Sequence, residues 1–122
     1  YDWIVPVPTS RSRFRQRGFF PAWELCCAAH QVLKPSDDSW QRSAFLWDWK
    51  KSSAQSVGQD REQRRESLAS SWVLKPDWQE RIRGKRILIV DDVLTTGQTM
   101  QAVAKSLKGA ARLDAVCLFR TL

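Results

Sequence analysis

The sequence predicts an α/β domain, a parallel sheet flanked by helices, with a mobile polar excursion between its halves. Three observations carry this. Ile87-Leu88-Ile89-Val90 is an unbroken apolar run, the mark of a strand covered on both faces and hence of a parallel sheet. Met100, Val103, Ala104 and Leu107 follow it at helical spacing, and a second apolar run extends from Leu113 to Phe119. A strand and then a helix also open the chain, so the elements alternate as right-handed crossovers require.

Trp3 to Val7 (WIVPV) is apolar and β-branched, and it reads as a strand that ends where Pro6 and Pro8 withdraw ladder donors. Thr9 to Gly18 is rich in arginine and reads as a polar turn. Pro21 suits the first position of a helix. Ala22, Leu25, Cys26, Ala29, Val32 and Leu33 then form one apolar helical face, ending at Lys34-Pro35-Ser36-Asp37-Asp38. Trp47 and Trp49 alternate with Asp48, as in a short half-exposed strand. From Lys50 to Ser71 the chain is polar and charged, with a thin apolar face, and a mobile excursion over about 50–71 is expected. Gly109 stops the helix that begins near Met100.

The 122 residues suffice for one domain, 1–122, and not for two. The composition, 43% hydrophobic and 27% charged, is that of an ordinary globular domain. No apolar run approaches the ~20 residues of a membrane span. Twenty Lys and Arg against 13 Asp and Glu give a net charge of +7, which favours anionic partners, although solubility alone accounts for it equally well. Cys26, Cys27 and Cys117 are odd in number and form no CxxC pair, so neither a disulfide framework nor a zinc site is expected. Reduced thiols in a cytoplasmic protein are the simple account, with Cys26 and Cys117 as small buried hydrophobes. The start Tyr1-Asp2-Trp3, without methionine, reads as that of a fragment or of a chain that lost an upstream part.

The chemistry concentrates at Asp91-Asp92-Val93-Leu94-Thr95-Thr96-Gly97-Gln98-Thr99. In an open parallel sheet, ligands sit at the carboxyl ends of strands, where loops lead into helix N-termini. Backbone N–H groups at such a helix start, with its positive dipole end, receive an anion. Gly97 permits a close approach, and Thr95, Thr96 and Thr99 add hydroxyl donors. Two carboxylates before such a phosphate cup suit ribose hydroxyls, directly or through Mg²⁺. Taken singly, a threonine there is an N-cap and an aspartate the end of a strand; their combination after an apolar tetrad and before an amphipathic helix outweighs that reading.

This stretch resembles the phosphoribosyl-pyrophosphate-binding motif of type I phosphoribosyltransferases. Val5-Pro6-Val7-Pro8 with Arg11 and Arg13/Arg15/Arg17-Gly18-Phe19, then Gln55 with Arg61, Arg64 and Arg65, and the ending Phe119-Arg120-Thr121-Leu122 resemble the ComF/GntX-like competence family. The likeness spans nearly the whole chain. It departs at Phe20-Pro21, where the family has Asn-Gln. The family's N-terminal four-cysteine zinc module and the strand-helix unit after it are also missing, so the chain reads as a short or truncated member.

The resemblance implies a type I phosphoribosyltransferase-like fold and a division of labour. Asp91 and Asp92 are the catalytic pair and indirect Mg²⁺ partners, and Thr95, Thr96, Gly97, Gln98 and Thr99 bind phosphate. Thr9, Ser10 and Arg11 bind pyrophosphate, with Arg13, Arg15 and Arg17 as further cations. Gln55, Arg61 and Arg65 ride on the mobile loop, which closes over the reacting centre and excludes water. As an enzyme, the protein exchanges pyrophosphate of phosphoribosyl pyrophosphate for a nitrogen nucleophile, a pentosyl transfer; no general base stands out, and His30 reads as a surface or packing residue. As a non-catalytic competence protein, it binds a phosphoribosyl ligand or nucleotide, single-stranded DNA or a partner protein. An uncovered sheet edge would lead to self-association as a homodimer. The seven tryptophans serve as core and interface material more readily than as base-stacking platforms.

Overall fold

The computed structural model describes residues 1–9, 11–34, 46–49 and 72–121. Its centre is β4 (Arg86–Leu94), the strand built on the apolar tetrad. Parallel neighbours flank it, β1 (Trp3–Pro6) on one side and β5 (Arg112–Arg120) on the other. The register sets Trp3 beside Ile87, Val5 beside Ile89, and Ile87 beside Leu113. Both crossovers run through helices, α2 (Pro21–Leu33) after β1 and α4 (Gln98–Ser106) after β4, as a parallel sheet requires. The expected α/β architecture is therefore present.

Alternation along the strands divides the core in two. Trp3, Val5, Ile87 and Ile89 face one layer, with Val103 and Leu107 from the α4 region. Ile4, Leu88 and Val90 face the other, where Cys26 of α2 packs on them. Each fully buried aliphatic side chain contributes about 1.5–3 kcal/mol, and Ile4, Ile87 and Ile89 are at most 1% exposed. At the amino end of the sheet, Arg86 clamps Asp2: its Nη2 donates to Oδ1 at 3.0 Å and its Nε to Oδ2 at 3.1 Å. This bidentate pair sets β1 against β4 before either strand enters the core.

A second sheet pairs β2 (Trp47–Trp49) antiparallel with β3 (Trp72–Leu74). The expected strand at Trp47 and Trp49 is present; its partner at Trp72 and the helix after it, α3 (Pro76–Arg81), went unanticipated. Both are short, and their apolar residues become legible only when packed. The Trp47 ring meets Trp72 edge-on with centroids 4.7 Å apart, and Trp78 meets Trp3 likewise at 5.2 Å. Trp3, Trp72 and Trp78 are core residues, as expected of tryptophans here. Trp40 and the 50–71 excursion lie outside the described residues.

Several expectations need correction. The arginine-rich stretch is not a turn: Arg11–Arg17 forms helix α1. Arg, Gln and Ser tolerate helix well, but with only Phe14 apolar, and that 41% exposed, no periodicity could reveal it. The strand also does not stop at Val90. It continues through Asp91 and Asp92 to Leu94, because β5 pairs with it as far as Leu94 beside Arg120. The apolar face of α2 is buried only in part: Val32, at its carboxyl end, is 80% exposed. Cys26 is buried as expected, but Cys117 is only half-buried, since it sits on the outer strand β5. Among the described residues, no helix is long and apolar enough to cross a membrane.

Candidate functional site

The carboxyl ends of β1 and β4 lie side by side because the Val7 N–H donates to the Val90 carbonyl at 2.8 Å. That bond places Pro8 and Thr9 next to Asp91 and Asp92. The loop after β4 then turns at Gly97, whose φ of +79° is a left-handed conformation that disfavours any side chain. Helix α4 starts at Gln98. The N–H groups of Gln98, Thr99 and Met100 precede its first full helical bond, from Gln101 N–H to the Gly97 carbonyl at 2.9 Å. Thr96 Oγ1 accepts from the Gln98 N–H at a long 3.4 Å, which leaves this amide weakly engaged.

These elements surround a cleft of about 670 Å³. Asp91, Asp92, Thr95, Thr96, Gln98 and Thr99 line one side of it. Val7, Pro8 and Thr9 line the adjoining wall, with Arg13, Gln16 and Arg17 of α1 above them. Phe20, Pro21, Ala22 and Trp72 complete it with an apolar surface. A cleft with one acidic, one hydroxyl-rich and one cationic wall suits a small ligand that carries both phosphate and hydroxyl groups.

The two aspartates differ. The Asp92 backbone N–H donates to Asp91 Oδ1 at 2.9 Å. Burial, and after it the neighbouring Asp92 carboxylate, push the Asp91 carboxyl up to about 7, while the Asp92 N–H and the positive charge of Arg13 oppose the shift. Asp92 stands 3.8 Å from Arg17 Nη1 in a half-exposed ion pair. One carboxyl of the pair is therefore poised to exchange a proton near neutrality, and the other is tied to the cationic wall.

Of the sequence-selected residues, Asp91, Asp92, Thr95, Thr96, Gln98, Thr99 and Thr9 come together around this cleft. Gly97 shapes its loop from behind. Arg11 belongs to α1 as backbone, whereas Ser10 and the mobile-loop residues Gln55, Arg61 and Arg65 lie outside the described residues. Helix α1 sorts the remaining arginines, which the sequence could not do. Arg13, Gln16 and Arg17 share one face at i, i+3 and i+4 and line the cleft; Arg15 is not among its lining residues. Gln16 was missed, and that same spacing is the signal that would have found it. Phe20 and Trp72 were missed because an apolar wall has no motif. His30 lies half-buried on α2, away from the cleft lining.

Comparison with known proteins identifies the family. A family model described as "Phosphoribosyl transferase domain" matches residues 46–120. The chain is also 31% identical over 123 residues to "DNA utilization protein YhgH" of Escherichia coli O157:H7, covering 99% of the chain and 50% of that relative. Proteins of the same description from Escherichia coli strain K12 and Shigella flexneri are 31% and 30% identical over 129 residues, with the same coverage. The chain spans about half the length of the curated relatives it matches.

Proposed function

The chain belongs to the phosphoribosyl transferase domain family, and from that premise we propose that its cleft binds the 5-phosphoribosyl group of phosphoribosyl pyrophosphate or of a nucleotide. The observation that carries this is the delivery, by one strand, of Asp91 and Asp92 to the mouth of a cleft bounded by Thr95–Thr99 and the start of α4. The 5-phosphate accepts hydrogen bonds from the loop amides and from Thr95, Thr96 and Thr99. The ribose hydroxyls donate to Asp91 and Asp92. The pyrophosphate end meets Thr9, Arg13 and Arg17.

Among the described residues no three His, Cys, Asp or Glu gather as a metal site. Asp91 and Asp92 are hard carboxylates of the kind Mg²⁺ accepts, and they would hold the ion indirectly, through its bound water. Bound there, the ion neutralises pyrophosphate charge. The protein's own part in a transfer is electrostatic: Asp91 and Asp92 face the sugar as positive charge develops at C1, while Arg13 and Arg17 hold the departing pyrophosphate. A nitrogen nucleophile attacks C1 from the side of the apolar wall of Phe20 and Trp72. The free thiols Cys26, Cys27 and Cys117 suit a reducing, cytoplasmic setting.

Calorimetric titration with phosphoribosyl pyrophosphate and Mg²⁺ tests the binding. Saturable heat in wild type and its loss in Asp92→Asn are expected; equal silence in both sinks the reading. Pyrophosphate release in the presence of candidate bases tests transfer. A second reading, binding without catalysis as part of DNA use, draws on the relatives described as DNA utilization proteins. One structural feature favours it: α1 carries Arg13, Arg15 and Arg17, and Phe14 and the adjoining Phe19 stand 41% and 54% exposed. Cations interleaved with exposed rings suit single-stranded DNA. Affinity for an oligonucleotide that falls steeply with salt supports this reading, and indifference to salt removes it.

A further inference from the structure

Arg17 stands where two anionic groups compete for one cation. It is the last residue of α1, and Gly18, at a left-handed φ of +70°, ends that helix as its N–H donates to the Phe14 carbonyl at 2.9 Å. Pro21 then opens α2, which Ala22 and Cys26 anchor in the interior. The short link between the helices holds the end of α1 at the cleft, which Arg13, Gln16 and Arg17 line together with Asp91 and Asp92.

The side chain of Arg17 crosses to the aspartates. Its Nη1 stands 3.8 Å from Asp92 Oδ2, with both side chains partly exposed. Such an ion pair, longer than a hydrogen bond, parts easily. A sugar hydroxyl in line between the two would need about 2.7 Å to the carboxylate and about 2.9 Å to the guanidinium, so it cannot enter without moving Arg17. The guanidinium also draws on the lone pairs that such a hydroxyl must reach. A ribose that binds Asp92 therefore displaces Arg17, and what the displaced cation meets depends on the ligand. Ribose 5-phosphate carries its one phosphate at the end that the loop from Thr95 to Thr99 receives, and it leaves the guanidinium to water. Phosphoribosyl pyrophosphate brings a second anionic group, which a guanidinium grips with two parallel hydrogen bonds.

We propose that Arg17 is a specificity-determining residue, which gives up Asp92 readily only to ligands that bring a pyrophosphate group of their own. The inference rests on the phosphoribosyl reading of the cleft and deepens it. Arg17 has two opposite effects: it resists ribose phosphates without pyrophosphate and grips those with it. Between the ligands the cleft admits, it favours phosphoribosyl pyrophosphate over a nucleoside monophosphate.

The test titrates the 122-residue chain, wild type and Arg17→Gln, with ribose 5-phosphate and with phosphoribosyl pyrophosphate, each with Mg²⁺. Glutamine keeps the helix propensity at this partly exposed position, and circular dichroism checks the fold; Arg17→Met repeats the comparison if glutamine unsettles it. Ribose 5-phosphate should bind the variant about two- to fivefold more tightly, the range of an exposed ion pair. Phosphoribosyl pyrophosphate should bind it about three- to thirtyfold more weakly, because the lost charge-assisted hydrogen bonds exceed that same gain. A merely structural loss weakens both ligands and cannot give opposite signs. Ribose 5-phosphate bound equally or more weakly by the variant overturns the proposal, as does phosphoribosyl pyrophosphate bound no worse. If neither ligand binds wild type, the phosphoribosyl reading falls and this inference with it; binding without opposite signs removes the inference alone.

Discussion

Asp92 donates its backbone N–H to the Oδ1 of Asp91, its immediate neighbour, at 2.9 Å, at the point where β4 leaves the core. Alternation sends their side chains to opposite faces of the strand, and both still line the cleft. The pair thus combines a half-buried carboxyl titrating near neutrality with one held against Arg17.

Stability should follow the titration of Asp91. Its carboxyl is pushed from 3.8 up to about 7 by burial, so the folded chain binds the proton more tightly than the unfolded one. That contribution is complete below about 3.8 and is lost as pH rises through about 7. Thermal melts of wild type minus Asp91→Asn should show a difference that grows over this window and flattens above it. A difference that does not change with pH refutes the assignment.

Ligand binding should carry the opposite sign. Ribose hydroxyls and Mg²⁺-bound water need the ionised carboxylate as acceptor, so affinity for phosphoribosyl pyrophosphate should rise as pH passes about 7 and then level. Calorimetry in buffers of different ionisation enthalpy should record proton release on binding at neutral pH, absent from Asp91→Asn.

Gly97→Ala should weaken the site through the backbone. The nearest atom to a new Cβ is Leu94 Cδ1 at 3.8 Å, so space is adequate and the φ of +79° is the obstacle. A left-handed alanine costs about 1–2 kcal/mol. An unfolding free energy from denaturant titration lowered by that amount, with a larger loss of phosphate affinity, is expected; unchanged stability would mean the loop adopts another conformation.

Arg17→Ala should separate stability from binding. The ion pair with Asp92 spans 3.8 Å between partly exposed side chains, and such pairs are worth about 0–1 kcal/mol. Denaturation should barely move while pyrophosphate affinity falls. Arg15→Ala, outside the cleft lining, is the control that should change neither.

The core gives a sharper contrast. Leu107 is fully buried and Val32 is 80% exposed. Leu107→Ala should cost about 2–5 kcal/mol, and Val32→Ala no more than about 0.5 kcal/mol. Urea titration distinguishes the two, although both positions belong to apolar helical patterns of similar quality.

The sequence by itself determined the centre of this protein. Ile87 to Val90 could only be a strand covered on both faces, and the residues after it, two aspartates, three threonines and a glycine, carried their chemistry in their spacing. Such signals are local: burial writes a continuous apolar run, a helix start writes hydroxyls, and a left-handed turn writes glycine. Tertiary structure alone decided the rest. It extended β4 to Leu94, because pairing with β5 outweighs the turn tendency of Asp91 and Asp92. It made α1 a helix, so that Arg13 and Arg17 line the cleft and Arg15 does not. It chose Phe20 and Trp72 as a wall, pushed the Asp91 carboxyl up by burial, and left the apolar residues Val116, Leu118 and Phe119 of β5 exposed. These outcomes depend on which surfaces meet across the chain, and no window of consecutive residues contains that information.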